Sequence, residues 1–557
     1  MPIIYTPTTI WKNFIVQGEP SYIGVGKKEI EGITFEKGFV EGRYVDDQRV
    51  KIYVQSAKQG EGQKPAIIIF DEYGEYDRSL MLTEFAKKGY YAIVFNVTGT
   101  SEESENFTVY PEKIKHANLI QSDYDTKEIN SDVTKTCWYE WCGVAKYVYE
   151  YVKSLDFVNK VGCLGINGGA TTLWHFLATE DKIDCAVFLN NTGWSVYEGK
   201  SKFVSSNEES YSDGKIAYIA GIEPQSYASH VKCPSLIISA TGNANYDCDR
   251  AYDSLTRINE NLYKSINYSV NRRDGISKKS FESAYIFLEK FLSSKRSSNL
   301  PLPLTATSVE EEDVKVTVEA DQKGLKCFEL YVSEGVTDSC KRCWKKIDEK
   351  PSKKGKAEFT FTPNVQYGFA VWFVKAVYKN GYETVSKIFG KTFLQKEGLI
   401  KRANKIIYTS RIENSGSQFG PAKERLGLGV IDFNGDSDVE EKVGPLKMQG
   451  ITGKQGIITF NVCSESVKPD NNSLIIFDAY MPDGGEITVK LYVDYFGEKI
   501  EYISKAKIVK TDIWQNVKLS VAGFKTSAGI SIKNYNGIEA IEFYSDGEYL
   551  INNALWV

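Results

Sequence analysis

At 557 residues the chain is too long for one hydrophobic core, and at roughly 150 to 200 residues per domain it divides into about three. Hydrophobic residues at 42% and aromatics at 13% are enough for packed domains, while a net charge of −5 is small for this size and gives no sign of a nucleic-acid footprint. No apolar run reaches the ~18 residues of a membrane span, and Met1 to Phe14 lacks the pattern of a signal peptide, so the expectation is a cytoplasmic protein, secreted only if a leader was removed.

Residues 28 to 55 alternate apolar and polar and read as leading antiparallel strands joined near Tyr44 to Gln48. Pro65 to Phe70 is a continuous apolar run, as a strand covered on both faces requires. A helical pattern from Leu80 to Lys88 then leads through Gly89 to a second such run, Tyr91 to Phe95, which is the rhythm of a parallel crossover. Residues 97 to 135 form a polar insertion before a long helix that ends at Leu155 and brings in Trp138 and Trp141.

The central stretch runs from Lys160 to Leu177. An apolar run (Val161 to Ile166) stops at a glycine-flanked turn, and a helical pattern follows with Leu173, Phe176 and Leu177 on one face. Strand, sharp turn and helix in succession frame a nucleophile elbow, which lifts a serine clear of the sheet and aims backbone N–H groups at a developing oxyanion. Here the frame reads Gly165-Ile166-Asn167-Gly168-Gly169, and a carboxamide is not a useful nucleophile.

Further alternation predicts a strand from Asp184 to Asn190, a polar excursion to Tyr227, a strand from Pro234 to Thr241, a helix around Ala251 to Ile258, a strand from Ser265 to Val270 and a helix from Phe281 to Leu292. This is a doubly wound α/β sheet over 1–295. Ser293 to Pro303 reads as a Ser- and Pro-rich linker, after which the period changes to two. Two all-β sandwich domains are expected: a small immunoglobulin-like one over 296–398 and a larger one over 399–557.

The order and spacing of residues 28 to 292 resemble the α/β-hydrolase fold, in particular its dienelactone-hydrolase and acetyl-xylan-esterase type. The resemblance implies a Ser-His-Asp triad, which the sequence departs from position by position. Asn167 replaces the serine. After the Leu236 to Thr241 strand, where the acid belongs, stand Gly242 and Asn243, with Asp247 and Asp249 as substitutes. The loop that should carry histidine reads Asn271-Arg272-Arg273-Asp274-Gly275. The oxyanion loop reads Asp71-Glu72-Tyr73-Gly74, where a carboxylate would repel the developing charge. Asn167, Asn243 and Arg273 are therefore degenerate catalytic positions.

Of three histidines, His230 precedes a strand at the far edge, His175 reads as a packing residue of the elbow helix, and His116 lies in the insertion. Cys163 should be a buried, protonated thiol, and Ser195 and Ser239 lack a histidine in sequence reach. Asp71 or Glu72 with Asp247 or Asp249 would be the carboxylates for glycosidic acid/base work. Ten cysteines, several within strands, suit reduced buried side chains, and Cys340-Lys341-Arg342-Cys343 with Cys327 upstream lacks a fourth zinc ligand. No metal or cofactor is expected.

A site without a nucleophile still binds. Asp71, Glu72, Tyr73, Asn167, Gly168, Trp194, Tyr197, Asn243 and Asp247 are the expected binding residues, gathered with Arg273 above the sheet, where aromatic faces and polar groups suit a sugar ring. The last stretch, with Trp514 to Phe524 and Glu548 to Val557, resembles the closing strands of jelly-roll carbohydrate-binding modules, which implies glycan contact. The expected function is a degenerate hydrolase fold that binds or scaffolds, with a carbohydrate or other small molecule as partner and neither nucleic acid nor membrane. The alternatives are an active ester hydrolase with a non-standard nucleophile and a purely structural protein.

Overall fold

The computed structural model describes residues 2–73, 78–99, 106–118, 127–129, 131–197, 201–204, 211–293, 300–310, 313–364, 368–393, 406–424, 430–464, 467–469, 473–520, 523–533 and 535–557. Gly74 and the expected boundaries at 295/296 and 398/399 lie outside the described residues.

The first part is a nine-stranded sheet. Its elements are β1 (Tyr22–Ile30), β2 (Ile33–Val45), β3 (Gln48–Gln59), β4 (Lys64–Phe70), α1 (Ser79–Lys87), β5 (Tyr91–Phe95), α2 (Cys137–Ser154), β6 (Val158–Ile166) and α3 (Gly168–Leu177). There follow β7 (Cys185–Leu189), α4 (Asp213–Gly221), β8 (Ser235–Ala240), α5 (Cys248–Arg257), β9 (Lys264–Ser269) and α6 (Lys278–Leu292). The strands lie in the order β1-β2-β3-β5-β4-β6-β7-β8-β9. Pairing is antiparallel as far as β3 with β5, and parallel from β5 to β9. With β1 set aside, this is the strand order of the α/β-hydrolase fold.

The apolar runs explain why the sheet is covered twice. Along β4, Ala66, Ile68 and Phe70 pack into one core with α2, α3 and α5, while Ile67 and Ile69 pack into the other with α1 and α6. Two elements depart from the sequence expectation. Three leading strands are present rather than two, because Glu31 and Gly32 at φ 53° and 73° turn the chain between β1 and β2. The polar excursion before Tyr227 contains α4, whose N-cap Ser212 accepts from the Lys215 N–H at 3.2 Å.

Residues 305 to 392 form a three-stranded and a five-stranded antiparallel sheet. Their core is continuous with that of the α/β sheet: Val316, Phe328 and Trp372 share a cluster with Leu164 and Phe287. From Ile406 onward a six-stranded and a five-stranded sheet share a separate core, with Phe477 and Ile551 contributed by one and Val489 and Phe543 by the other. Among the described residues no helix is long and apolar enough to cross a membrane.

Candidate functional site

The elbow forms. Asn167 sits between β6 and α3 at φ 48° and ψ −120°, a region that a side chain rarely adopts. The glycines after it are required by close packing: a Cβ on Gly168 would stand 2.3 Å from the Tyr73 ring, and one on Gly169 would stand 2.2 Å from the Asp71 carbonyl oxygen. The loop after β4 is thus pressed onto the start of α3.

The side chain at the elbow is not presented to an open cleft. Asn167 is buried, and its Oδ1 accepts a 2.8 Å hydrogen bond from Asn190 Nδ2 at the end of β7. Asn190 Nδ2 also donates to the Asp274 carbonyl at 3.2 Å, and its Oδ1 accepts from the Ala240 N–H at 2.9 Å. One carboxamide therefore ties together the tops of β6 and β8 and the loop after β9.

In the loop after β4, Asp71 Oδ1 accepts from the Glu72 N–H at 2.7 Å, and Asp71 Oδ2 is bonded by Arg78. The N–H of Glu72 is thus occupied by the neighbouring carboxylate. Burial pushes the Asp71 pKa up to about 6 against the opposing pull of Arg78. The Tyr73 hydroxyl donates to the Gly168 carbonyl at 2.5 Å, and its ring lies 4.4 Å from Trp141. Trp138 and Trp141 are core residues.

The remaining expected residues are spread over separate networks. The Trp194 N–H donates to Glu223 Oε2 at 2.5 Å, and its indole N–H donates to Ser254 at 2.8 Å. The rings of Trp194 and Tyr197 lie under the guanidinium groups of Arg257 and Arg250, each at 4.8 Å. Asn243 Oδ1 accepts from the N–H groups of Asn245 and Tyr246 and so closes its own turn. Asp247 caps α5, with its pKa raised to about 6 by burial and by the Asp249 charge. The expected residues fall into separate networks because Asn243 and Asp247 bond within their own turn, while Trp194 is held by Glu223 and Ser254.

Two segments go further and become interface. Asp249, in the first turn of α5 and one of the two substitutes considered for the triad acid, forms a buried ion pair with Arg342, whose Nη1 donates at 2.5 Å. In the loop where histidine belongs, the N–H groups of Arg273, Asp274 and Gly275 all donate to the Glu424 carboxylate, at 2.8, 2.6 and 2.7 Å. The Arg273 guanidinium is buried against the Pro421 and Ala422 carbonyls rather than standing over a site. Asn271 Nδ2 donates to the carbonyls of both Trp344 and Ser417, and Arg272 bonds Ser437 and Asp438. Asn190, Glu223, Arg342 and Glu424 escaped the sequence reading. The pair Asn190-Asn191 at the end of an apolar run was the one local signal.

None of the histidines reaches the elbow carboxamide by a described hydrogen bond. His116 lies 3.6 Å from Glu140, and His230 sits in a turn before β8. His175 is fully buried; one ring nitrogen pairs with the Ile222 carbonyl at 2.6 Å, and burial brings its pKa down from 6.5 to about 4. A lowered folded pKa means that the unfolded chain binds the proton first as pH falls. This contribution to stability is full above pH 6.5 and is lost on the way to pH 4, about 3 kcal/mol in all. His175→Phe is expected to remove that component, read as a smaller difference between denaturant unfolding free energies at pH 6.5 and pH 4 than in the parent protein.

The other candidate nucleophiles are held elsewhere. Ser195 Oγ donates to the buried Glu223 carboxylate at 2.5 Å, Ser239 is fully buried, and burial drives the Cys163 thiol well above its ordinary pKa. Of the carboxylates considered for acid/base work, Asp71 is engaged by Arg78 and Asp249 by Arg342. Among the described residues no disulfide forms, and Cys340 and Cys343 are not bridged. Among the described residues, Asp247-Cys248-Asp249 and Cys327-Glu329-Glu349 place three potential ligand atoms within 4.8 Å. The Arg342 cation already occupies Asp249, and Lys346 lies 3.6 Å from Glu329.

No family model and no curated protein matches the chain. Solved structures do resemble it. An acetyl xylan esterase from Paenibacillus sp. R4 is 11% identical with a TM-score of 0.41, over 51% of this chain and 92% of its own. Acetyl xylan esterase 1 from Thermoanaerobacterium sp. JW/SL YS485 is 12% identical with a TM-score of 0.32, over 45% and 81%. A cold-adapted esterase from an Arctic intertidal metagenomic library is 10% identical with a TM-score of 0.33, over 49% and 100%. At these scores none of them carries an activity over to this chain.

Proposed function

We propose that this protein is an α/β-hydrolase fold without acyl-transfer chemistry, serving as a scaffold and binding unit for two β-sandwich units, with carbohydrate as its partner. The observation that carries this reading is the closure of the strand tops. Asn167 is held by Asn190, the start of α5 is bonded to Arg342, and the loop after β9 is bonded to Glu424. A triad needs a base hydrogen-bonded to its nucleophile and open to a substrate, whereas these segments are bonded to the later parts of the chain.

The carbohydrate half rests on the six-stranded sheet near the C-terminus. Asp478 accepts from Asn516 Nδ2 at 3.1 Å and from Asn553 Nδ2 at 2.7 Å. Two residues along that strand, the Tyr480 ring lies 6.0 Å from that of Trp514. A carboxylate and carboxamides beside aromatic rings match the hydroxyl edge and the C–H face of a sugar.

The second reading is an ester hydrolase, as the names of the structural neighbours indicate for those proteins, with a nucleophile other than residue 167. Hydrolysis of p-nitrophenyl acetate and of acetylated xylan by the protein and by Asn167→Ala separates the two. The expected result is no turnover above background in either, and no stoichiometric labelling by a fluorophosphonate or by iodoacetamide. Removing a true serine nucleophile costs on the order of a millionfold, so a genuine activity is readily told from contamination. Turnover in both proteins with one labelled side chain would overturn the scaffold reading.

A further inference from the structure

A cavity of about 410 Å³ lies at the edge of the α/β sheet, between β1, β2, β3 and the start of α1. Its size falls within the roughly 300 to 1,000 Å³ of small-molecule sites. It draws no residue from the elbow or from the loops after β7, β8 and β9.

Strand register decides which side chains face it. Gly26 stands opposite Lys37 and Lys28 opposite Phe35 between β1 and β2, while Lys37 stands opposite Gln55 and Phe35 opposite Ala57 between β2 and β3. Residues opposite one another and two apart along a strand share a face, so these six lie on the same side of the sheet. Ala57 shares a core with Leu82 of α1, and Phe35 packs against that core, which makes this the side that α1 covers. Lys27 and Glu36 stand opposite each other on the other side and pair there at 2.9 Å.

The side chains on the covered face have one sign of charge. The Lys37 stem lies across Gly26, where a Cβ would stand 3.1 Å from its Cε, and Lys28 Nζ stands 5.4 Å from the centre of the Phe35 ring. Among the described residues neither ammonium group forms an ion pair, because Glu36, the carboxylate nearest in sequence to Lys37, is turned away and taken by Lys27. Phe35 and Leu82 supply an apolar wall, and Gln55, which donates one amide hydrogen to Tyr53 at 3.0 Å, keeps the second. Like charges over low-dielectric walls concentrate counter-ions, so the cavity attracts a negative group and offers apolar surface beside it.

We propose that this cavity binds a small organic anion with an apolar body, its head at Lys28 and Lys37 and its body against Phe35 and Leu82. A neutral sugar or a wholly apolar molecule would leave both ammonium groups uncompensated, and a metal cation would be repelled. The head is a carboxylate or a phosphate monoester, since an ammonium group pairs with either. The site does not depend on the carbohydrate reading above.

Calorimetric titration of the full-length protein with octanoate, naphthoate and octyl phosphate, and with octanol as an uncharged counterpart, tests this. At least one anion is expected to bind, with octanol about tenfold or more weaker. The anion affinity is expected to fall severalfold between about 0.1 M and 1 M salt, a measurement on the parent protein that needs no variant to fold. Lys28→Gln combined with Lys37→Gln should weaken anion binding about tenfold or more, and Gln55→Trp, which fills the cavity without changing its charge, should do the same. Thermal unfolding confirms that both variants are folded. Tighter binding of octanoate or naphthoate than of octyl phosphate assigns a carboxylate head, and the reverse assigns a phosphate. Anion binding unchanged in both variants would overturn the site, and octanol binding as tightly as octanoate would overturn the anion. The absence of binding by every anion to the parent protein would overturn the proposal as a whole.

Discussion

Arg342→Ala is expected to destabilise the protein by about 3 to 5 kcal/mol, the largest effect of any single substitution considered. Arg342 and Asp249 both have side chains that are 0% exposed, and the guanidinium also donates to the carbonyls of Val336 at 3.1 Å and Thr337 at 2.8 Å. Truncation removes the only described partner of a carboxylate buried beside a second one, Asp247, whose pKa that charge already helps to raise to about 6. The loss is therefore the cost of an uncompensated charge rather than the value of the bond. Arg342→Met combined with Asp249→Leu is expected to recover most of it, because an apolar pair of similar volume replaces a buried ion pair at little net cost. Denaturant unfolding of the parent, both single variants and the double variant checks this. A loss below about 1 kcal/mol in Arg342→Ala would contradict the account.

Glu424→Ala is expected to cost at least about 3 kcal/mol for a different reason. Its carboxylate accepts three consecutive backbone N–H groups and faces the Arg273 guanidinium at 3.5 Å. Without it, donors in a buried turn lose their acceptor while water stays excluded. Glu424→Gln keeps one acceptor oxygen and should lose roughly half as much. The local readout is hydrogen exchange by mass spectrometry, with faster exchange expected in peptides spanning Arg273 to Gly275. The same turn is held a second time by the Ile276 N–H donating to the Val430 carbonyl at 2.8 Å, so exchange should accelerate without the loop detaching.

The periodic elements were legible because each announces itself over a few residues. Pro65 to Phe70 and Tyr91 to Phe95 are apolar throughout because both faces of those strands are covered, and α6 carries its stripe on Phe281, Ala284 and Leu288. β1 was not legible, since an edge strand with most of its residues exposed has no apolar face to alternate. α4 shows no clean apolar stripe, since Ile216 is exposed while its neighbours Ala217 and Tyr218 are buried. The small sandwich expected over 296–398 was read as a unit from its period of two, yet it shares its core with the α/β sheet. Alternation marks which face is apolar and does not say what that face will meet.

By itself the sequence determined the strand rhythm, the elbow frame at Gly165 to Gly169, and the lack of serine and histidine where the resemblance calls for them. These are local properties, set by side-chain type and spacing along a few turns of chain. Only the tertiary structure decided what the residues at these positions bond to. Asn167 finds Asn190 at a separation of 23 residues, Asp249 finds Arg342 at 93, and the turn at Arg273 finds Glu424 at 151. A carboxylate or carboxamide has no preferred partner written beside it, because its bond is worth making only where burial has removed water. Which groups are buried together is a property of how the sheets pack, and that packing makes the start of α5 and the loop after β9 part of the joint between the parts of the chain.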